Sequence, residues 1–229
     1  MPKIKTLIIT TTTPIKFDEI RSFRGAIINS LDEKQLLFHN HTDDGLRYSY
    51  PLIQYKRING NAAIVCVDKG TEVIGEVFAS KELSLRIGDR EEQLEVEKMN
   101  AYLTDVKLVD DWLYFHLSNW LPLNSDNYVK YCSTDSIVEK LNILESVLIG
   151  NIMSFLKGVN IHLDGQLKVK ITSINRESVI MFKDVKMMNF YIDFKTNIWL
   201  PNHIGIGKGA SVGYGVIKKL TKNIIFESN

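Results

Sequence analysis

The spacing of hydrophobic and polar positions in the N-terminal part of the chain predicts alternating strands and helices. The elements follow the order strand, helix, strand, strand, helix, strand, at residues 4–13, 19–30, 50–58, 62–67, 71–79 and 83–87. The first strand is rich in β-branched residues and ends at Pro14, and Asp18 is a suitable N-cap for the first helix. Asn59-Gly60, a dipeptide typical of two-residue hairpin turns, joins the two middle strands.

The pattern continues through the C-terminal half with further strands and one long helix. Strands are predicted at residues 93–99, 106–117, 166–174, 179–188, 191–199 and 215–220, and a helix at residues 133–156. Strand, helix, two strands, helix and strand is the ferredoxin-like order. We therefore predict an α+β protein with two tandem ferredoxin-like (RRM-like) domains, residues 1–104 and 105–229. In the second domain, a loop shortens or replaces the second helix.

That loop contains five glycines immediately before the last predicted strand: Gly205, Gly207, Gly209, Gly213 and Gly215. Glycine allows a backbone N–H to approach an anion or a helix closely, so the loop is suited to cradling phosphate or to tight packing. No helix is predicted after the glycines and no Gly-Lys-Ser/Thr closes them. These absences argue against a dinucleotide fingerprint and against a P-loop.

Charge is distributed unevenly along a chain whose formal net charge is only +1. Residues 165–226 contain ten Lys or Arg and three Asp or Glu, which gives about +7 there and about −6 for the remainder. A basic C-terminal half suits a partner with a phosphate backbone, although a solvated lysine-rich sheet face is the alternative. The N-terminus does not resemble a signal peptide and no apolar run reaches membrane-spanning length, so we expect a cytoplasmic protein without a membrane partner.

The polar loop after the first helix holds candidate acid–base residues. His39 and His41 lie in it, and Tyr48 and Lys56 follow. Cleavage of RNA through its own 2′-OH needs a base, an acid and cations, and histidine titrates nearest neutral pH. The alternatives are that both histidines are idle in solvent, or that they bind a metal with a nearby aspartate. His116, by contrast, is interpreted as a packing residue beside aromatic side chains.

The glycine loop also resembles a family motif. The C-terminal glycine-rich loop of the RAMP proteins, RNA-binding proteins of CRISPR systems, matches the residues Gly205, Gly207, Lys208, Gly213, Tyr214 and Gly215. Over nearly its whole length the chain resembles the RAMP branch that cuts CRISPR repeat transcripts, the Cas-six endoribonucleases. The resemblance implies two tandem ferredoxin-like domains, in agreement with the element order.

The same resemblance implies an activity and its residues. It implies a metal-independent endoribonuclease that cleaves CRISPR repeat RNA by 2′-OH transesterification to produce guide RNAs, without a cofactor. The catalytic candidates are His39, His41, Tyr48 and Lys56. The RNA-binding candidates are Arg21, Arg24, Arg47, Gly205, Gly207, Lys208, Gly213, Gly215 and Lys218.

A non-catalytic RAMP subunit that binds guide RNA within an effector complex is the alternative function. The two histidines in the expected segment favour the nuclease. The resemblance also allows association with other CRISPR effector subunits and formation of a homodimer.

Overall fold

The computed structural model describes residues 3–30, 50–78 and 83–220. Its elements in chain order are β1 Lys3–Pro14, α1 Ile20–Asn29, β2 Ile53–Ile58, β3 Asn61–Val67, α2 Gly70–Val77, β4 Ser84–Ile87, β5 Arg90–Gln93, β6 Val96–Asp105, β7 Leu108–Trp120, α3 Ser125–Ser133, α4 Ile137–Gly158, β8 Val169–Phe182, β9 Val185–Ile198 and β10 Val216–Lys219. They form two compact units. The N-terminal unit consists of residues 3–104 and 211–213, and the C-terminal unit of residues 105–210 and the described residues from 214 onward.

The N-terminal unit contains a four-stranded sheet in the order β2-β3-β1-β6. This is the ferredoxin-like strand order, with β6 in the position of the fourth strand. The strand predicted at residues 83–87 does not fill that position, because β4 pairs with β5 in a separate two-stranded sheet. The intervening Gly88, with φ of +62°, lets the chain reverse directly from Ile87 to Arg90.

Helix α1 covers one face of the N-terminal sheet. Its buried residues Ile20, Phe23 and Ile27 recur at helical spacing, and each is 1% exposed or less. Phe23 packs edge-on against Tyr55 of β2, with ring centroids 5.7 Å apart. Tyr55 therefore lies on the helix-covered face, and the next residue, Lys56, lies on the other face.

The C-terminal unit repeats the same strand order. Its sheet runs β10-β7-β9-β8, and no helix lies between β9 and β10 among residues 199–215. The glycine loop therefore replaces the second helix, as predicted. On one face of this sheet, Trp120 donates a hydrogen bond to Asn151 of α4 (2.9 Å), and Phe190 packs against Tyr131 of α3. Helices α3 and α4 thus cover that face.

The strand boundaries in the long hairpin β8–β9 differ from the predicted ones. Three strands were predicted at 166–174, 179–188 and 191–199, but the chain forms two strands of 14 residues joined at Lys183-Asp184. Both turn residues have positive φ, 50° and 63°, as a type I′ hairpin turn requires. The polar run from Asn175 to Ser178 was interpreted as a break between two strands. It lies within β8 and is polar because β8 is an edge strand with exposed side chains and register shifts.

The predicted helix 133–156 also corresponds to more than one element. Helix α3 ends at Ser133, and α4 begins after a separate N-cap at Ser136, whose side chain accepts from the Glu139 N–H. Buried residues of α4 recur at helical spacing and form much of the core: Leu144, Leu148, Ile152 and Phe155. Among the described helices, none is both long enough and apolar enough to cross a membrane.

Candidate functional site

Four of the predicted site residues lie outside the described residues: His39, His41, Arg47 and Tyr48. Of the catalytic candidates, Lys56 lies within the described residues. The other predicted RNA-binding residues belong to helix α1 and to the segment from the glycine loop through β10.

Lys56 lies in the middle of β2, opposite Ala63 of β3. Only 1% of it is exposed, so its amine is removed from bulk water. Burial disfavours the charged form and lowers the pKa of Lys56 to about 7. A lysine amine in this environment exchanges its proton near neutral pH, which an exposed lysine does not do.

The strand face around Lys56 carries other buried polar groups. Gln54 lies two residues earlier on the same face and is fully buried. Its Nε2 donates to the Tyr50 hydroxyl oxygen at 2.7 Å and to the Pro51 carbonyl oxygen at 3.0 Å. Burial of Tyr50 raises its hydroxyl pKa, so this phenol stays protonated around neutral pH. The N-terminal sheet thus places a titratable amine beside a hydrogen-bonded polar cluster.

The glycine loop is held together by backbone hydrogen bonds to β10. Ile206 N donates to the Gly215 carbonyl oxygen at 2.8 Å, and Ile217 N donates to Ile204 at 2.9 Å. A Cβ at Gly215 would lie 1.9 Å from the Ile206 carbonyl oxygen, and the φ of Gly215 is +60°. A side chain cannot be accommodated there without moving the backbone.

Gly213 lies in the short segment that belongs to the N-terminal unit. The neighbouring Ser211 carbonyl oxygen accepts a hydrogen bond of 2.8 Å from Tyr55 N of β2. A Cβ at Gly213 would approach Ile20 Cδ1 of α1 within 2.6 Å, and φ is +88°. Of the two roles predicted for the loop, tight packing therefore accounts for the glycines at positions 213 and 215.

The basic candidates lie in both units. Arg21 is exposed on α1 and Arg24 is half-buried on the same helix. In the C-terminal unit, Lys208 is exposed between two glycines, and its Nζ lies 3.7 Å from Met187 Sδ. Lys218 is exposed on β10.

Sequence reasoning missed one polar pair on the C-terminal sheet. His116 of β7 and Asp193 of β9 are directly opposite in register, and the His116 Nδ1–Asp193 Oδ1 distance is 2.7 Å. His116 had been interpreted as a packing residue because aromatic residues surround it in sequence. The alternation of half-buried 114, 116 and 118 with buried 115 and 117 places it on the face away from α3 and α4.

Within residues 3–30, 50–78 and 83–220, no three His, Cys, Asp or Glu residues are grouped so that they could hold one metal ion.

Comparisons with known proteins agree with this architecture. Residues 2–105 match the family model of the Cas6b N-terminal domain, and residues 107–220 match that of the Cas6b C-terminal domain. The crystal structure of a Cas6b superposes with a TM-score of 0.84 at 25% identity, covering 96% of this chain and 100% of that one. A structure described as the CRISPR RNA processing endoribonuclease Cas6b gives a TM-score of 0.72 at 23% identity, with the same coverage.

A relative with a higher sequence identity matches a shorter region of the chain. The uncharacterized protein MJ0978 of Methanocaldococcus jannaschii is 33% identical over 104 residues, which cover 45% of this chain and 69% of that protein.

Two four-stranded sheets with the same strand order, with a glycine loop in place of the helix before the last strand of the second sheet, define a double ferredoxin-like protein. Within that class, the family models match both halves of the sequence. The chain belongs to the Cas6 family, in its Cas6b branch.

Replacing Gly215 by Ala tests whether the close backbone approach is required. We expect Gly215→Ala to lower the free energy of unfolding by more than about 3 kcal/mol, because the Cβ would overlap a backbone oxygen. Gly88→Ala is the matched control, since Gly88 also has positive φ but open space around its Cβ, and should cost about 1–2 kcal/mol. Urea denaturation measures both, and equal losses would show that the contact is dispensable.

Replacing Lys56 by Met tests whether its burial costs stability. The pKa of Lys56 is lower in the folded state than in the unfolded state, so the folded state binds fewer protons. The destabilisation by Lys56 is therefore largest below about pH 7 and disappears as the pH rises toward 10.5. We expect Lys56→Met to melt several degrees higher than the wild type at pH 7, at about 2–4 °C per kcal/mol, with the difference shrinking by pH 10. The exposed Lys5→Met is the control. A lower melting temperature for Lys56→Met at pH 7 would mean that Lys56 stabilises the fold.

Proposed function

We propose that this protein is an endoribonuclease that cuts CRISPR repeat RNA by attack of a 2′-OH on the adjacent phosphate, leaving a 2′,3′-cyclic phosphate and a 5′-OH. The observation that carries the proposal is the match of the two Cas6b domain models to consecutive ranges that together cover almost the whole chain. The Cas6b structures with which the chain superposes extend over the same length, and one is described as a CRISPR RNA processing endoribonuclease.

In this reaction His39 and His41 supply the base for the 2′-oxygen and the acid for the departing 5′-oxygen. General acid–base catalysis of this kind needs no metal ion, because the proton transfers themselves lower the barrier. Tyr48 lies close to them in sequence and orients the RNA.

Lys56 contributes charge at the reacting phosphate, which requires RNA binding to expose its buried amine. Burial keeps its amine partly neutral near pH 7, and a phosphate brought beside it favours the protonated form. The amine therefore gains its charge where negative charge develops in the transition state.

RNA affinity comes mainly from the basic C-terminal half. Lys208 and Lys218 are exposed, and each phosphate that a lysine neutralises releases condensed counterions. Lys208 itself is exposed, so a phosphate can approach its amine, whereas the neighbouring Gly207 packs against the Asn151 side chain of α4.

Cleavage assays with modified RNA test the mechanism. The wild type should cut repeat RNA in excess EDTA, and one 2′-deoxy nucleotide immediately 5′ of the mapped cut should abolish cleavage by removing the nucleophile. His39→Ala and His41→Ala should each slow the single-turnover rate roughly 10²–10⁴-fold while binding changes little. His162→Ala, at an exposed histidine of the C-terminal unit, is the control.

Each departure from these results has a distinct meaning. Inhibition by EDTA would support a metal-dependent reaction, and binding without any cleavage would support a non-catalytic RAMP subunit. Wild-type cleavage by the His39→Ala/His41→Ala double variant would place the acid and base elsewhere.

The salt dependence of binding tests the role of the basic half. Lys208→Ala/Lys218→Ala should weaken binding and reduce the slope of log affinity against log salt by about 1.4, since each lost contact to single-stranded RNA removes roughly 0.7. Lys69→Ala/Lys98→Ala removes the same charge from exposed positions of the N-terminal unit and should change the slope less. Identical affinities and slopes for the two double variants would refute this location of the binding surface.

A further inference from the structure

One row of polar side chains crosses all four strands of the C-terminal sheet. In register, Lys218 of β10 lies opposite His116 of β7, which lies opposite Asp193 of β9, which lies opposite Ser173 of β8. Directly paired residues share a face of a sheet. The row therefore lies on the face away from α3 and α4, because the neighbouring β9 residues 190, 192 and 194 are fully buried.

The imidazole of His116 is fixed in this row by its carboxylate partner. Nδ1 of His116 lies 2.7 Å from Asp193 Oδ1, and each side chain is 29% exposed. No hydrogen bond to His116 Nε2 is found among the described residues. A histidine bound at one nitrogen and accessible at the other presents the second nitrogen in a defined direction.

An aromatic side chain beside His116 is also fixed from several sides. Tyr191 lies on the same strand face two residues before Asp193, and its hydroxyl donates to Asn119 Oδ1. The Arg176 guanidinium carbon lies 5.7 Å from the Tyr191 ring centroid, and the ring of His116 lies 6.4 Å away. An aromatic ring and an arginine plane are the surfaces on which unpaired RNA bases stack.

The charges around this row favour an anion. Lys218 and Arg176 are exposed on either side of His116. Lys195 lies two residues after Asp193 on β9, with its Nζ 4.9 Å from the Trp112 ring centroid. Asp193 is the acid of the row, and its carboxylate is engaged with His116. A phosphate approaching Nε2 of His116 thus meets nearby cations, with the carboxylate behind the ring.

We infer that the face of the C-terminal sheet away from α3 and α4 binds one nucleotide of single-stranded RNA. Its phosphate accepts hydrogen bonds from Nε2–H of the doubly protonated His116 and from Lys218, and its base packs against Tyr191 and Arg176. The inference rests on the proposed function, since it supposes that the protein binds RNA. It adds a contact beyond those proposed for the catalytic histidines and for Lys208. Asp193 acts as a positioning residue, because it reaches the RNA through His116.

Binding and cleavage measured separately test this contact. The binding probe is a repeat RNA with the 2′-deoxy substitution at the cut, and its dissociation constant is measured by fluorescence anisotropy at fixed salt. His116→Ala should weaken binding roughly tenfold, as loss of a charged hydrogen bond does, while the cleavage rate at saturating RNA falls much less. The control is His162→Ala, which removes an exposed histidine elsewhere in the same unit.

Two further variants guard against misfolding and test the base contact. Arg176→Ala alters an exposed residue of the edge strand and should weaken binding severalfold without lowering the melting temperature. Tyr191→Ala should weaken binding more than Tyr191→Phe, which keeps the ring and loses the hydroxyl.

The outcomes separate this inference from the proposed function. If the wild type binds and cuts repeat RNA while His116→Ala and Arg176→Ala bind as tightly as the wild type, this contact is refuted and the nuclease stands. If His116→Ala keeps its affinity but loses the saturated cleavage rate, His116 acts in the reaction and the binding role is wrong. If the wild type binds no repeat RNA, the proposed function and this contact both fall.

Discussion

Helices cover one face of each four-stranded sheet, and because side chains alternate between the two faces of a strand, that packing fixes what the other face can carry. In β2, Tyr55 packs against α1, so Lys56 must point away from the helix. In β9, Phe190 packs under α3, so Tyr191 and its polar neighbours point away from the helices. The same rule, applied to both units, places a buried amine in one and a histidine–aspartate pair in the other.

The C-terminal unit completes its strand order without a second helix. The glycine loop satisfies its own backbone by pairing with β10, and its apolar side chains Ile204, Ile206 and Ala210 are buried as those of a helix would be. Such a compact loop requires backbone contacts that a β-carbon would block, as at Gly215. The exposed Lys208 is held on this scaffold rather than on a free loop.

The sequence alone was sufficient to predict features that depend on local sequence. It was insufficient to predict features that depend on which strands pair. The hairpin at Asn59-Gly60 and the replacement of a helix by glycines were predicted because each depends on conformations that few residues adopt. The strand at 83–87 was assigned to the main sheet because a pattern of alternation does not reveal which strands pair. His116 and Asp193 are 77 residues apart, so only the register of β7 and β9 brings them together.

The membership of residues 211–213 in the N-terminal unit has a consequence for synthesis of the chain. Tyr55 N finds its hydrogen-bond acceptor at Ser211, about 156 positions later in the sequence. A ribosome delivers the N-terminal strands long before that acceptor, so the last contacts of this unit form only when translation is nearly complete. The N-terminal unit is synthesised first, but its fold is completed only after the glycine loop has emerged from the ribosome.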